Sequence, residues 1–442
     1  MMRAVRPLLA TVVASTLLLS SALPASAQED GFWYFDQLGI GEAHASGLTG
    51  EGITIAVMDS PINTDIPTLR DANVTVIEPS LCFDEAAQDF YPAVSTDRSG
   101  VLDAIHGTNV VSMISGTGDG YPGQTGIKGV APDAEVLYYV VNVTDVTSDG
   151  DSIACGDPDL GFSALEIQLG RAMEAAMDAG ADIISVSSLV SPGDEVLNHA
   201  IARAVREEVV IVAGTLNTTD VMFGAVMPAG GNGVLAVQAG GSTGEQIPVQ
   251  NIYTQIIAPG LDVTVQGAYG ESWEEQELTS GSSMATPLAA GILALAMQKY
   301  PEASPNQLLQ SLIRNTSGGN PDAVRDEYTY GYGYISLRTL LAADPTQYST
   351  ENPFVSMADG SYPTFDEIYN PVEPTTAPED SADQPSDLDL TGILTGLAIA
   401  GLIGLVVLAG IVVLIVVLVR RSRRNSAVAT TPSATESTPK QQ

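Results

Sequence analysis

Basic residues are scarce in this 442-residue chain: 17 Lys and Arg stand against 53 Asp and Glu, a formal net charge of −36. Two of the arginines lie in the first six residues, four follow directly on residue 419, and Lys440 is near the end. Setting those seven and Glu436 aside leaves ten basic against 52 acidic residues for the rest, a surface that repels phosphate backbones and excludes nucleic acid as a partner. Cysteine is nearly absent, with Cys82 and Cys155 alone, so no multi-bridge scaffold is possible. They either form the single possible intrachain bridge or remain as two buried thiols. Histidine is as sparse: His44, His106 and His199 are the only imidazoles from which acid–base chemistry near neutral pH could be drawn. No internal repeat is visible, which excludes solenoids and propellers.

Both ends carry long uncharged runs. Residues 1–27 place Arg3 and Arg6 before an apolar stretch that ends in Ala25-Ser26-Ala27, the layout of a secretory signal peptide cleaved after Ala27. Residues 392–419 contain no charge and exceed the roughly 30 Å thickness of a bilayer core, so residues 391–419 are expected to form a single transmembrane helix. Arg420, Arg421, Arg423 and Arg424 then place residues 420–442 in the cytoplasm and the preceding domain outside. Residues 351–390, with six prolines among acidic and small polar side chains, read as an extended linker. One domain remains, residues 28–350.

Within it, apolar and β-branched runs at 53–58, 136–143, 182–188, 209–214 and 234–239 have the character of strands buried on both faces. Helical spacing separates several of them. Leu165, Leu169, Met173 and Met177 recur every four residues before Gly180, and Val196, Ile201 and Val205 are expected to face inward from a second helix. Strand–helix alternation predicts an α/β fold with a mostly parallel buried sheet and helices on both faces.

Two elements suggest chemistry. Asp59 ends the first strand in "IAVMDS", at the carboxyl edge where open parallel sheets place their sites, although an aspartate there also serves as a turn former. "GSSMATPLAAG" puts Ser282 and Ser283 where a helix begins, with Leu288, Ile292 and Leu295 on one face of that helix. Unpaired N–H groups and partial positive charge at a helix start suit either a capping hydroxyl or a developing anion. Since neighbours differ in direction by about 100°, at most one of the two serines faces a catalytic partner.

"IAVMDS", "HGTNVVSMISG", "GVAP", "ADIISVSS", "MPAGGNGVLAVQA", "IIAPG" and "GSSMATPLAAG", in this order over residues 45–315, resemble the subtilisin-like serine proteases. The order Asp, His, Ser is that of subtilisin and not of the α/β-hydrolases. The resemblance implies a serine endopeptidase with Ser283 as nucleophile, His106 as general base and acid, and Asp59 orienting the imidazole. It implies Asn217 as an oxyanion donor, a residue otherwise read as a turn former, and Ser187, Ser188 and Leu189 as substrate-binding. Three departures stand out: Ser60-Pro61 follows Asp59 where the family has Thr-Gly, Asn109 replaces a second histidine, and glycines are replaced by Ser188 and Leu189 near the specificity pocket and by Leu216 before Asn217. Signal, short extension, protease domain, linker and span together resemble the membrane-anchored mycosins of type VII secretion, in which a cysteine-bearing loop, here with Cys82, precedes the catalytic histidine. That likeness implies a membrane secretion complex as partner, with a polypeptide as substrate. About 25 residues before the first strand are too few for a separately folding pro-domain, so the extension is expected to wrap the domain. A subtilisin-fold scaffold with little or no catalysis is the competing expectation. No cofactor is implied, and acids such as Asp103 and Asp119 are too common to assign a metal site.

Overall fold

The computed structural model describes residues 31–371, except 148–149, 154, 159–164, 218–225, 250, 268–271 and 328. The expected leader, span and tail, and residues 372–390 of the expected linker, lie outside the described residues. Among the described residues, no helix is long and apolar enough to cross a membrane.

Seven parallel strands form the central sheet: β1 (Thr54–Asp59), β2 (Val74–Val76), β3 (Glu135–Val140), β4 (Ile183–Val186), β5 (Val210–Gly214), β6 (Leu235–Gly240) and β7 (Ile256–Pro259), in the order β7-β6-β5-β4-β1-β3-β2. Side chains alternate along each strand, so a strand buried on both faces must be apolar at every position. In β1, Ile55 and Val57 enter one core while Ala56 and Met58 enter the other, and all four are fully buried. On the first face α3 (Ile105–Ser115) packs against α6 (Ser282–Lys299). On the second, α4 (Leu165–Asp178) packs against α5 (Glu195–Arg206).

Two helical expectations change in detail. In α5 the inward residues are Leu197, Ile201 and Val205, one helical row at i, i+4 and i+8, whereas Val196 is 37% exposed. Leu288, Ile292 and Leu295 are buried as expected, but so is every residue of α6 from Met284 to Met297. Enclosed by the sheet and by other helices, α6 has no polar face to reveal its orientation.

Residues 31–49 lie on the domain. The Thr264 N–H donates to the Gly31 carbonyl at 3.0 Å, Trp33 Nε1–H to the Leu261 carbonyl at 3.0 Å, and Tyr34 is fully buried in α1 (Trp33–Leu38), which α2 (Ile40–Ala45) follows. At the other end, the expected linker from residue 351 is corrected for its first twenty residues, which fold onto the domain. The Asn232 amide donates to the Ser356 and Pro363 carbonyls, both at 3.0 Å, and the Asn352 amide to the Gly233 carbonyl at 3.0 Å. A final helix α8, a short turn at Phe365–Tyr369 beyond α7 (Pro305–Arg314), sinks Ile368 completely into the second core. Proline-rich acidic composition cannot build a core, but a strap added to an existing one needs only a few anchors, here Phe354 and Ile368.

Candidate active site

All seven strands point the same way, so their carboxyl ends share one rim. Asp59 closes β1 there, Ser187 follows β4, and Asn217 lies three residues beyond β5. Strands β2 and β3 lie to one side of β1 while β4 to β7 continue on the other, so the rim between β1 and β4 is the switch point where open sheets form a crevice.

Asp59 is 1% exposed and its Oδ1 accepts from three groups: the Ser60 N–H at 2.7 Å, the Ser60 hydroxyl at 3.2 Å, and His106 Nδ1–H at 2.7 Å. These contacts fix the carboxylate, and the carboxylate fixes the ring so that Nε2 is the free nitrogen. Burial pulls the His106 ring down; the charge and hydrogen bond of Asp59, with the charge of Asp103, outweigh it and hold the imidazole above its ordinary value of about 6.5. Asp103, three residues before His106, accepts the Ile105 N–H at 2.9 Å at the start of α3. In the sequence it is one acid among 53 and carries no mark of this role.

The turn after Asp59 is built by a residue that the sequence did not single out. Tyr138, fully buried in β3, donates its hydroxyl to the Ser60 carbonyl and so holds the Ser60-Pro61 turn. Gly107 is required beneath it: a Cβ there would lie 1.9 Å from the Tyr138 hydroxyl and 2.7 Å from the Ser60 carbonyl oxygen. A tyrosine in a buried strand gives no signal of such a role.

The two serines are separated by their partners. Ser282 is 2% exposed, and its hydroxyl donates to the Thr215 carbonyl at 2.5 Å. Its N–H donates to Asn217 Oδ1 at 2.8 Å. Ser282 is thus committed to holding the strand β5 end against α6. Ser283 is half-buried and its hydroxyl makes a single long bond, 3.4 Å, to the Ser187 carbonyl. No hydrogen bond joins Ser283 to His106. Pro287 lacks the N–H that would pair with the carbonyl four residues earlier, which is that of Ser283. The Ser187 hydroxyl supplies the missing donor at 2.9 Å and so fixes the first turn of α6.

Asn217 is exposed at the rim, and because Ser282 N–H identifies its Oδ1, its amide nitrogen is the end left free. Ser188 and Leu189 are half-buried beside Ser187, while Val190 pairs with Met227 in an isolated bridge. Cys82 and Cys155 are bonded to each other, with Cα atoms 4.5 Å apart, at the carboxyl end of β3. The other histidines lie elsewhere. His44 Nε2 is 2.8 Å from the Val130 carbonyl oxygen, and His199 is 68% exposed on α5, 4.0 Å from Glu174. Among the described residues, no group of three or more His, Cys, Asp or Glu is arranged to hold a metal ion.

A parallel α/β scaffold with an acid–imidazole pair on its carboxyl rim and a serine-led buried helix beside it defines a class, the subtilisin-like serine proteases. The chain belongs to the subtilase family, whose sequence model matches residues 50–333. Among its relatives, mycosin-1 of Mycobacterium tuberculosis is 28% identical over 366 residues, covering 73% of this chain and 76% of that protein. Minor extracellular protease Epr of Bacillus subtilis is 28% identical over 314 residues, covering 69% of this chain; the match spans only 41% of Epr's own length. The crystal structure of fervidolysin from Fervidobacterium pennivorans superposes with a TM-score of 0.54 at 22% identity, over 71% of this chain and 46% of that one, a likeness of fold.

Proposed function

We propose that this chain is a serine endopeptidase that cleaves polypeptides through an acyl-enzyme, with Ser283 as nucleophile, His106 as proton carrier and Asp59 as its orienting carboxylate. The observation that carries the reading is the division between the serines: Ser282 spends both its hydroxyl and its N–H on structure, which leaves Ser283 alone beside a rim that holds a charge-paired imidazole. When a peptide carbonyl is bound, rotation about the Ser283 Cα–Cβ bond would exchange the long bond to Ser187 for one to His106 Nε2. His106 takes the hydroxyl proton as Oγ attacks, and the Asp59 carboxylate stabilises the imidazolium that forms. The tetrahedral oxyanion would be met by the Asn217 amide and the Ser283 N–H at the positive end of α6. His106 then gives its proton to the leaving amine, and a water repeats the cycle on the ester. Ser187, Ser188 and Leu189 would line the cleft for the residue preceding the scissile bond.

The sequence pattern supports a location for this chemistry: a domain outside the cell, exported by residues 1–27, anchored by the span at 391–419, with residues 420–442 in the cytoplasm and a membrane secretion complex as partner. In the full-length protein, a fluorophosphonate should label Ser283. Ser283→Ala should abolish labelling and Ser282→Ala should preserve it. Labelling that survives Ser283→Ala would reassign the nucleophile. The Ser283–Ser187 contact also favours a second reading, a fold kept as a scaffold with weak catalysis. Full rescue of a deletion strain by the Ser283→Ala chain would select that one.

A further inference from the structure

We infer that Asn109, where the family has a second histidine, is a positioning residue that sets the separation of His106 from Ser283. It rests on the triad reading above. Asn109 is 1% exposed on α3, one turn after His106. Its amide behaves as an inserted peptide group. Oδ1 accepts the Gln266 N–H at 2.7 Å, and Nδ2 donates to the Gln266 carbonyl at 2.9 Å and to the Ile105 carbonyl at 2.8 Å. The three partners fix which end of the amide is which, and both Nδ2 hydrogens are used.

The partner strand explains why the contact bears on the reaction. Gln266 ends β8 (Val263–Gln266), which pairs antiparallel with β9 (Gln276–Thr279), Gln266 opposite Gln276. From Thr279 the chain passes through Ser280 and Gly281 directly into α6 and Ser283. The Asp262 N–H donates to the Ser280 hydroxyl at 3.0 Å and the Gly281 N–H to the Gly260 carbonyl at 2.8 Å, so β8 and β9 carry the start of α6 as a unit. On the other side, the Nδ2 bond to Ile105 ties the clamp to the residue before the imidazole. Asn109 therefore joins the element that carries the base to the hairpin that delivers the nucleophile. An imidazole at this position has one acceptor or donor at each of two nitrogens and cannot make all three bonds.

The test measures fluorophosphonate labelling of the full-length protein over a range of probe concentrations, which separates the limiting rate constant, the half-saturating concentration and the amplitude. Asn109→Ala should lower the limiting rate constant about 10- to 100-fold, the cost of a displacement on the order of 1 Å between reacting groups. Half-saturation and amplitude per folded molecule should stay unchanged, and the acid limb should keep its midpoint because the Asp59–His106 pair is untouched. Asn109→His, which retains part of the clamp, should fall between the two and serves if the alanine variant does not fold. A wild-type rate constant in either folded variant, or a loss confined to amplitude, would overturn the proposal. Wild-type protein that is not labelled at Ser283 would instead overturn the triad reading on which it rests.

Discussion

Replacing Asp59 by asparagine removes one charge and almost no volume, and the surroundings set what is lost. In the wild type, Oδ1 is shared by the Ser60 N–H and His106 Nδ1–H, both at 2.7 Å. The Ser60 N–H still demands an acceptor, so the asparagine carbonyl stays in place and the ring keeps its orientation. What would disappear is the attraction between the carboxylate and the imidazolium that the proposed acyl transfer forms. At 2.7 Å and an effective dielectric constant of about 20 that attraction is roughly 6 kcal/mol. The ring is 43% exposed, so solvent screens part of it. At 1.36 kcal/mol per decade, the limiting rate should fall about 10³- to 10⁴-fold. The pH profile supplies an independent readout. His106 must be neutral to act as base, and Asp59 contributes most of what raises its pKa, so the acid limb of the variant should lie at lower pH than that of the wild type. Stability follows the same linkage. A histidine raised in the folded state contributes stability that is fully present below its unfolded pKa of about 6.5 and is lost as the pH rises through the folded value. The melting temperature of the wild type relative to the variant should therefore be highest near pH 6 and decline above it. An acid limb at the same pH in both proteins would refute this account of the pair.

Ile368→Ala removes a fully buried side chain from the strap over α5 and should cost about 2–5 kcal/mol, read as a lower denaturation midpoint; no change would mean that the strap is not part of the cooperative unit. Reduction of the Cys82–Cys155 bridge, which closes a loop with a sequence separation of 73, should destabilise by up to about 4 kcal/mol on the chain-entropy view, measured by melting Cys82→Ser beside the wild type. Leu189, half-buried beside Ser188, stands where the family has glycine. Leu189→Gly should raise the kcat/KM ratio for large over small residues before the scissile bond by about tenfold or more, at about 1–3 kcal/mol per methylene accommodated, and an unchanged ratio would place Leu189 outside the specificity pocket.

The strands were legible because burial on both faces leaves only one kind of sequence, the continuous β-branched run. The edge strand Val74–Val76 escaped notice because three residues carry no periodicity, and none of them is fully buried. In α5 the expected phase is off by one residue: Val196 lies five positions from Ile201, off the helical row, and the true row starts at Leu197. The linker boundary was misplaced because composition averages over a segment, whereas docking depends on single anchors such as Ile368. Asp59 and His106 were found as motif residues. Tyr138 acts across 78 positions and the Asn109 clamp spans 157, distances that no local pattern encodes, whereas Asp103, three residues from His106, is hidden only by the abundance of acids in the chain.

The choice between Ser282 and Ser283 illustrates the same limit from the other side. At the start of α6 the two residues have identical side chains and nearly identical sequence surroundings, and their difference comes from Thr215, 67 positions away. Placed opposite that carbonyl, Ser282 loses its hydroxyl to a buried bond and its N–H to Asn217, which leaves the Asn217 amide nitrogen free and the Ser283 hydroxyl held only by its long bond to the Ser187 carbonyl. Ser282→Ala should then cost about 0.5–1.5 kcal/mol of stability for the lost bond, with more if the Thr215 carbonyl stays buried without a donor. Because the backbone N–H that anchors Asn217 is retained, labelling at Ser283 should continue, so stability and reactivity come apart at adjacent residues.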